Sequence, residues 1–179
     1  MQNNKTTSNT RQWIIHHSGV SRKVLYSQTN SINNYHKQLW NMKSQLGYYG
    51  GYQYTIEPSG KVVQFRKEHE EGMHTLKHNL GYIGICLQGN FLVEMPTEAQ
   101  IKALREIIRG DDKVYRHCDL QAERICPCLS MEYINNILKD DEAEKLKQEK
   151  IIELTGRLDY LISTLLKLLD LIKKKYGKK

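Results

Sequence analysis

The apolar positions follow two rhythms, one suited to strands and one to helices. Gln12 to His17 (QWIIHH) is a short apolar run with β-branched residues and predicts a buried strand. Ile32, Tyr35, Leu39 and Met42 recur at helical spacing over Ser31 to Gln45, with Trp40 beside them and Asn30 or Ser31 as the cap. From Tyr52 to Phe65, QYTIE, Pro-Ser-Gly and KVVQF predict a hairpin. Gly81 to Gln88 (GYIGICLQ) carries so little polar character that it predicts a central strand. Thr97 caps TEAQIKALREII, a helix with Ile101, Leu104, Ile107 and Ile108 on one face. A last strand is expected at Lys113 to His117 and a short helix at Ser130 to Leu138. Strands interleaved with helices, with one antiparallel hairpin among them, predict an α/β fold built on a mixed central β-sheet flanked by helices.

Beyond Lys139-Asp140-Asp141-Glu142 the pattern changes. Ile151, Leu154, Leu158, Leu161, Leu165, Leu168 and Ile172 follow alternating steps of three and four, the seam of a coiled coil. Ile162, Leu166, Leu169 and Leu171 widen the stripe, and Gly156 interrupts it. The domains expected are therefore residues 1–10 as a flexible N-terminus, 11–138 as the folded domain and 139–179 as a C-terminal amphipathic or coiled-coil helix. Such a helix can pack on its own domain, self-associate or lie on a membrane surface with its terminal lysines on anionic headgroups. The sustained register favours a homo-oligomer through residues 151–172, and Asp and Glu on the polar face leave only weak membrane-surface contact by the C-terminal lysines.

The 179 residues carry 27 Lys+Arg against 20 Asp+Glu, a net charge of +7 that points to anionic partners. No aromatic-plus-basic motif accompanies the charge, so no nucleic-acid partner is expected. No stretch of about 18 residues is both apolar and free of charge, as a membrane-crossing helix requires. The first residues, MQNNKTTSNTR, lack the apolar core of a secretory signal, and synthesis in the cytoplasm is expected. Of the four cysteines, Cys118, Cys126 and Cys128 fall within eleven positions near His117, which favours reduced thiols available as metal ligands over a disulfide framework. No His-Glu-x-x-His and no pair of Cys-x-x-Cys occurs among them or the 7 histidines. What remains is dispersed. His16 and His17 end one strand and point to opposite faces, His117 ends another, and Cys126-Pro-Cys128 follows in a loop. A histidine from each strand end plus a thiolate would hold zinc with one position open.

Six segments, in order, carry a family resemblance: WIIHHSG, INNYHKQLW, GYQYTIEPSGKV, HTLKHNLGYIGICLQGNF, PTEAQIKALREII and RHCDLQAERICPC. Over roughly residues 11 to 138 the chain resembles the zinc-dependent N-acetylmuramoyl-L-alanine amidases of type 2, which include phage amidase-type lysozymes and peptidoglycan-recognition proteins. The resemblance implies a Zn2+ cofactor on His16, His117 and Cys126, with His17 outside the ligand set. It implies catalytic roles for Tyr52 and Arg124, and substrate-groove roles for His74 and Asn79. The implied reaction is hydrolysis of the amide between N-acetylmuramic acid and L-alanine of the stem peptide, with bacterial peptidoglycan as partner. The implied setting is that of an endolysin acting on the cell wall after release from the cytoplasm. A non-catalytic peptidoglycan-binding or virion structural protein on the same fold is the alternative.

The chain departs from the family pattern at three points. Arg116 stands where Gly usually precedes the second histidine. The nine positions from His117 to Cys126 are one more than is common, which leaves Cys128 or Cys118 open as the third ligand. Arg124 replaces the usual Lys or Thr; it can hold negative charge but is a poor proton donor.

Overall fold

The computed structural model describes residues 10–24, 28–139 and 141–176. Most of the expected flexible N-terminus, all but Thr10, lies outside the described residues, as do Gly177, Lys178 and Lys179 at the lysine-rich end. Two compact units divide the chain, Met1–Lys139 and Asp140–Lys179.

In the first unit, β1 (Gln12–His17) is followed by α1 (Gln28–Trp40) and then by β2 (Tyr54–Ile56), β3 (Val62–Gln64) and β4 (Ile83–Leu87). After these come α2 (Glu98–Ile107), β5 (Lys113–Arg116), the single turn α3 (His117–Leu120) and α4 (Met131–Lys139). The five strands form one mixed sheet in the order β3-β2-β4-β1-β5. β1 lies parallel to both β4 and β5, β2 lies parallel to β4, and β2 and β3 form the antiparallel hairpin. All five residues of β4 are buried, as its apolar run predicts for a central strand.

Side chains alternate across the strands, so each face has its own chemistry. One face carries Trp13, Ile15, Ile56, Ile83, Ile85 and Leu87, and with Leu104, Ile108, Ile134 and Ile137 from α2 and α4 they form the apolar core. Thr97 caps α2 with a reciprocal pair: its Oγ1 accepts from the Gln100 N–H at 3.0 Å, and Gln100 Oε1 accepts from the Thr97 N–H at 3.1 Å. The register Thr55↔Cys86 and His16↔Cys86 sets Thr55, Cys86 and His16 in one row on the opposite face. Ile14↔Tyr115 and Ile15↔Arg116 carry His117 to the same level at the end of β5.

α1 departs from its apolar periodicity. It runs from Gln28 to Trp40, and Asn41, at a φ of 51°, takes the left-handed conformation that ends it before Met42. The side chains it buries are Gln28, Thr29 and His36, while Tyr35, Leu39 and Trp40 are exposed. Polar partners make this inward face tenable. Thr29 Oγ1 donates to Glu57 at 2.8 Å and accepts from Gln88 Nε2 at 2.6 Å, and Gln28 Oε1 accepts from Ser18 Oγ at 2.7 Å.

The second unit is α5 (Asp141–Tyr176), a 36-residue helix that passes through Gly156 unbroken. Its seam residues Ile151, Leu154, Leu158, Leu161, Leu165, Leu168 and Ile172 are each half or more exposed. No helix among the described residues is long and apolar enough to cross a membrane.

Candidate metal centre

β1, β5 and the loop after α3 bring His16, His117 and Cys126 together, with one donor atom from each lying within 4.8 Å of the others. His16 is 1% exposed and its ring centroid is 4.6 Å from that of His117. Its Nδ1 lies 3.8 Å from Cys126 Sγ, while its Nε2 lies 3.2 Å from His74 Nδ1. Burial, helped by the neighbouring His74 and His117, pushes the His16 pKa well below its ordinary value. Burial also lowers His117, with Gln121 acting against it and the Arg124 charge adding to it. Both rings are therefore neutral near pH 7, as metal ligands must be. Burial pushes the Cys126 thiol up to about 12, although the His17 backbone N–H, 3.4 Å from its sulfur, favours the thiolate. A cation bound there would displace the thiol proton. Two neutral imidazoles and a sulfur are a donor set that suits zinc.

His17 stands apart. Its Nδ1 accepts from the Phe91 N–H at 3.1 Å, so the neutral ring carries its hydrogen on Nε2, which faces Cys128 Sγ at 3.8 Å. His16 with Cys126 and His17 with Cys128 are thus two separate pairs, and the three-donor group contains Cys126. The backbone N–H of Cys118 bonds the Cys126 carbonyl at 2.9 Å and so braces the loop. Arg116, where the family pattern has Gly, has its guanidinium on Asp119 at 2.5 Å and on the Leu129 carbonyl at 3.3 Å, pinning the start of α3.

Tyr52 and His74 complete the wall around His16. The Tyr52 ring is 5.1 Å from the His16 ring and 6.1 Å from His74. Burial, ahead of the neighbouring Cys86 and Cys126, raises the Tyr52 hydroxyl well above its ordinary value, so it stays a proton donor. Cys86, in the central strand β4, is fully buried beneath Tyr52 in the row of His16. His36 anchors the chain before Tyr52: its Nδ1 accepts from the Gly51 N–H at 2.8 Å, and burial lowers its pKa to about 4. Beside Tyr52 opens a cleft of about 360 Å3 lined by Ser18, Ile32, Tyr35 and His36 among others.

His74 is enclosed. A Cβ on Gly84 would stand 2.5 Å from its Cδ2 and one on Gly72 2.4 Å, so both positions need glycine for the ring to sit there. Asn79 Oδ1 accepts from the backbone N–H groups of His74 and Thr75 at 2.8 and 2.9 Å, and so holds the loop. Arg124 is exposed, and its charge reaches both His117 and Cys126. Gln121, which fits no metal-ligand spacing in the sequence, has Oε1 2.6 Å from His117 Nε2. Its place four residues after His117 in a helical turn is the signal that could have found it.

N-acetylmuramoyl-L-alanine amidase is the description of the protein family that matches residues 6–129. Two N-acetylmuramoyl-L-alanine amidases are similar in sequence. The Sus scrofa protein is 32% identical over 77 residues, 43% of this chain and 12% of that protein. The Homo sapiens protein is 34% identical over 58 residues, 32% of this chain and 10% of that protein. The matches thus span about a tenth of each relative's length. Among solved structures, the N-acetylmuramoyl-L-alanine amidase LysC from Clostridium intestinale URNW superposes with a TM-score of 0.53 at 26% identity, covering 66% of this chain and 76% of that one. Drosophila PGRP-LB shares the fold, with a TM-score of 0.54 at 22% identity over 66% of this chain and 74% of that one.

Proposed function

Since the chain belongs to the N-acetylmuramoyl-L-alanine amidase family, we propose that it is a zinc-dependent peptidoglycan hydrolase that cleaves the amide between the lactyl group of N-acetylmuramic acid and L-alanine. The observation that carries this is the convergence of the His16, His117 and Cys126 donor atoms within 4.8 Å, with Tyr52, whose ring is 5.1 Å from that of His16, also lining an open cleft. Zinc held by these three residues supplies Lewis acidity, which polarises an amide carbonyl and makes water nucleophilic near neutral pH.

The chain's own residues do the rest. Hydrolysis adds the water oxygen to the lactyl carbonyl carbon and breaks its bond to the alanine nitrogen, which leaves as an amine carrying a proton from the water. Negative charge develops on the carbonyl oxygen. Tyr52, kept protonated by its burial, offers that oxygen or the incoming water a hydrogen bond. The Arg124 guanidinium stabilises the same oxygen electrostatically, from an exposed position that substrate would cover. The cleft next to Tyr52, with Ile32 and Tyr35 on its wall, receives the substrate. The net charge of +7 favours a wall polymer bearing carboxylates, with salt-sensitive attraction.

The test is release of new L-alanine amino termini from purified peptidoglycan. Zinc-loaded protein should release them, Cys126→Ser should lose both bound zinc and release, and Cys128→Ser should keep both. Protein that holds zinc and sediments with the wall yet releases nothing would establish the non-catalytic reading instead.

A further inference from the structure

We propose that His74 and Gln121 are positioning residues that determine which ring nitrogen His16 and His117 present to a metal. The inference rests on the zinc reading above and adds two residues to it. A neutral imidazole has one nitrogen with a hydrogen and one with a free lone pair, and only the latter can ligate. Whatever the opposite nitrogen bonds to decides between them.

At His117 the deciding contact is Gln121 Oε1, 2.6 Å from Nε2. An amide oxygen only accepts, so Nε2 carries the hydrogen and Nδ1 is left to ligate. At His16 the side facing Cys126 is Nδ1, at 3.8 Å, and the side facing His74 is Nε2, at 3.2 Å. Ligation beside the cysteine sulfur therefore puts the hydrogen on Nε2, donated to His74 Nδ1.

The surroundings of His74 hold its ring beside His16. Gly72 and Gly84 leave the space its ring fills, and Asn79 fixes its backbone. Thr75 Oγ1 lies 3.0 Å from the same Nδ1 and 3.4 Å from His16 Nε2, a second, longer contact that can also accept the His16 hydrogen. With Nδ1 accepting, the hydrogen of His74 sits on Nε2, a buried atom that has no hydrogen-bond partner among the described residues. Buried polar atoms are seldom left unpaired, and here the atom opposite serves the metal-facing histidine. Asn79 thereby acts two bonds away from the centre, through His74.

Zinc affinity of the full chain, measured by competition with a chromogenic chelator, tests the assignment without reference to catalysis. His74→Leu and Gln121→Leu should each weaken zinc by about 10–100-fold, the usual effect of losing such a partner. His74→Asn, whose amide oxygen can stand where Nδ1 stood, and Gln121→Glu, which can only accept, should stay within a few-fold of the unaltered protein. If the Leu variants bind like the unaltered protein, or if Gln121→Glu weakens zinc as much as Gln121→Leu, the inference is overturned. Should His74→Leu fail to fold, the Gln121 pair, at the part-exposed end of a single helical turn, decides alone. An unaltered protein that binds no zinc would instead overturn the zinc reading itself.

Discussion

At the scale of single residues, Asp112 does as much for the fold as any apolar side chain. Its carboxylate, 3% exposed, accepts from Arg11 Nη2 at 2.7 Å, the Trp13 indole N–H at 2.8 Å and the Arg109 N–H at 2.9 Å. It therefore ties the start of β1 to the turn that leads into β5. Burial alone would raise its pKa, but these bonds outweigh burial and hold it below the ordinary carboxylate value. A depressed folded pKa gives stability that is fully present above the unfolded value of about 3.9 and is lost as pH falls through the folded value. Asp112→Asn should thus cost roughly 1–3 kcal/mol in urea unfolding at pH 7, with the gap to the unaltered protein narrowing below about pH 4. A gap that widens on acidification would contradict this role. The network is not visible in the sequence, where Arg11, Trp13 and Asp112 are merely a charge, an aromatic and a charge far apart. His16, His117 and Cys126 were legible there, because they end strands or follow them in the order the family resemblance implies, although the nine positions from His117 to Cys126 left Cys128 and Cys118 open. The sequence offers His74 only as a groove residue through the family resemblance and gives Gln121 no role. Their roles depend on which ring nitrogen meets which atom, and that follows from the placing of a loop and one helical turn.

Secondary-structure elements were most legible where local chemistry and burial agree. Thr97, with Gln100 three positions on, signals a helix start, and both halves of that cap are formed. Thr97 Oγ1 also donates to the Pro58 carbonyl at 2.7 Å, which joins α2 to the hairpin turn. Thr97→Ala should therefore cost about 1–2 kcal/mol, at the upper end for a cap, and a midpoint in urea unchanged from the unaltered protein would show that neither bond matters. The central strand was legible for a similar reason, since an apolar run such as IGICL is soluble only when covered on both faces. α1 shows the opposite case. Periodicity selects Ile32, Tyr35, Leu39 and Met42 as its inner face, yet the helix buries Gln28, Thr29 and His36. Apolar spacing reports a preferred face only when no buried polar partners compete for the helix. Here Glu57, Gln88, Ser18 and the Gly51 N–H stand ready to satisfy polar side chains. Tyr35 and Ile32 are thereby free to line the cleft beside Tyr52.

At the scale of the whole molecule, the chain sets an amidase-family unit before a long helix whose apolar seam remains exposed. Seven seam side chains, each still half or more exposed, would contribute about 5–10 kcal/mol per helix if covered. Two such helices exceed the middle of the roughly 4–15 kcal/mol that association costs. We expect the occupant of this seam to be a second copy of the chain, because the three-and-four steps from Ile151 to Ile172 are the spacing that knobs-into-holes packing between like helices requires. Ile162 and Leu169, exposed beside the seam, widen it beyond what two strands need and favour a larger bundle. Sedimentation equilibrium should then give the full chain a mass that is a multiple of the monomer. A double substitution, Leu158→Glu and Leu165→Glu, would force charges into the seam and should return the chain to monomer mass. Its zinc content should not change, since His16, His117 and Cys126 all lie in the other unit. Monomer mass for both proteins would show that the seam does not pair. A loss of zinc in the double variant would show instead that the two units depend on each other. Many-copy display of a wall-binding site would raise apparent affinity for a repetitive polymer without any new contact, which gives the helix a use that matches the proposed substrate.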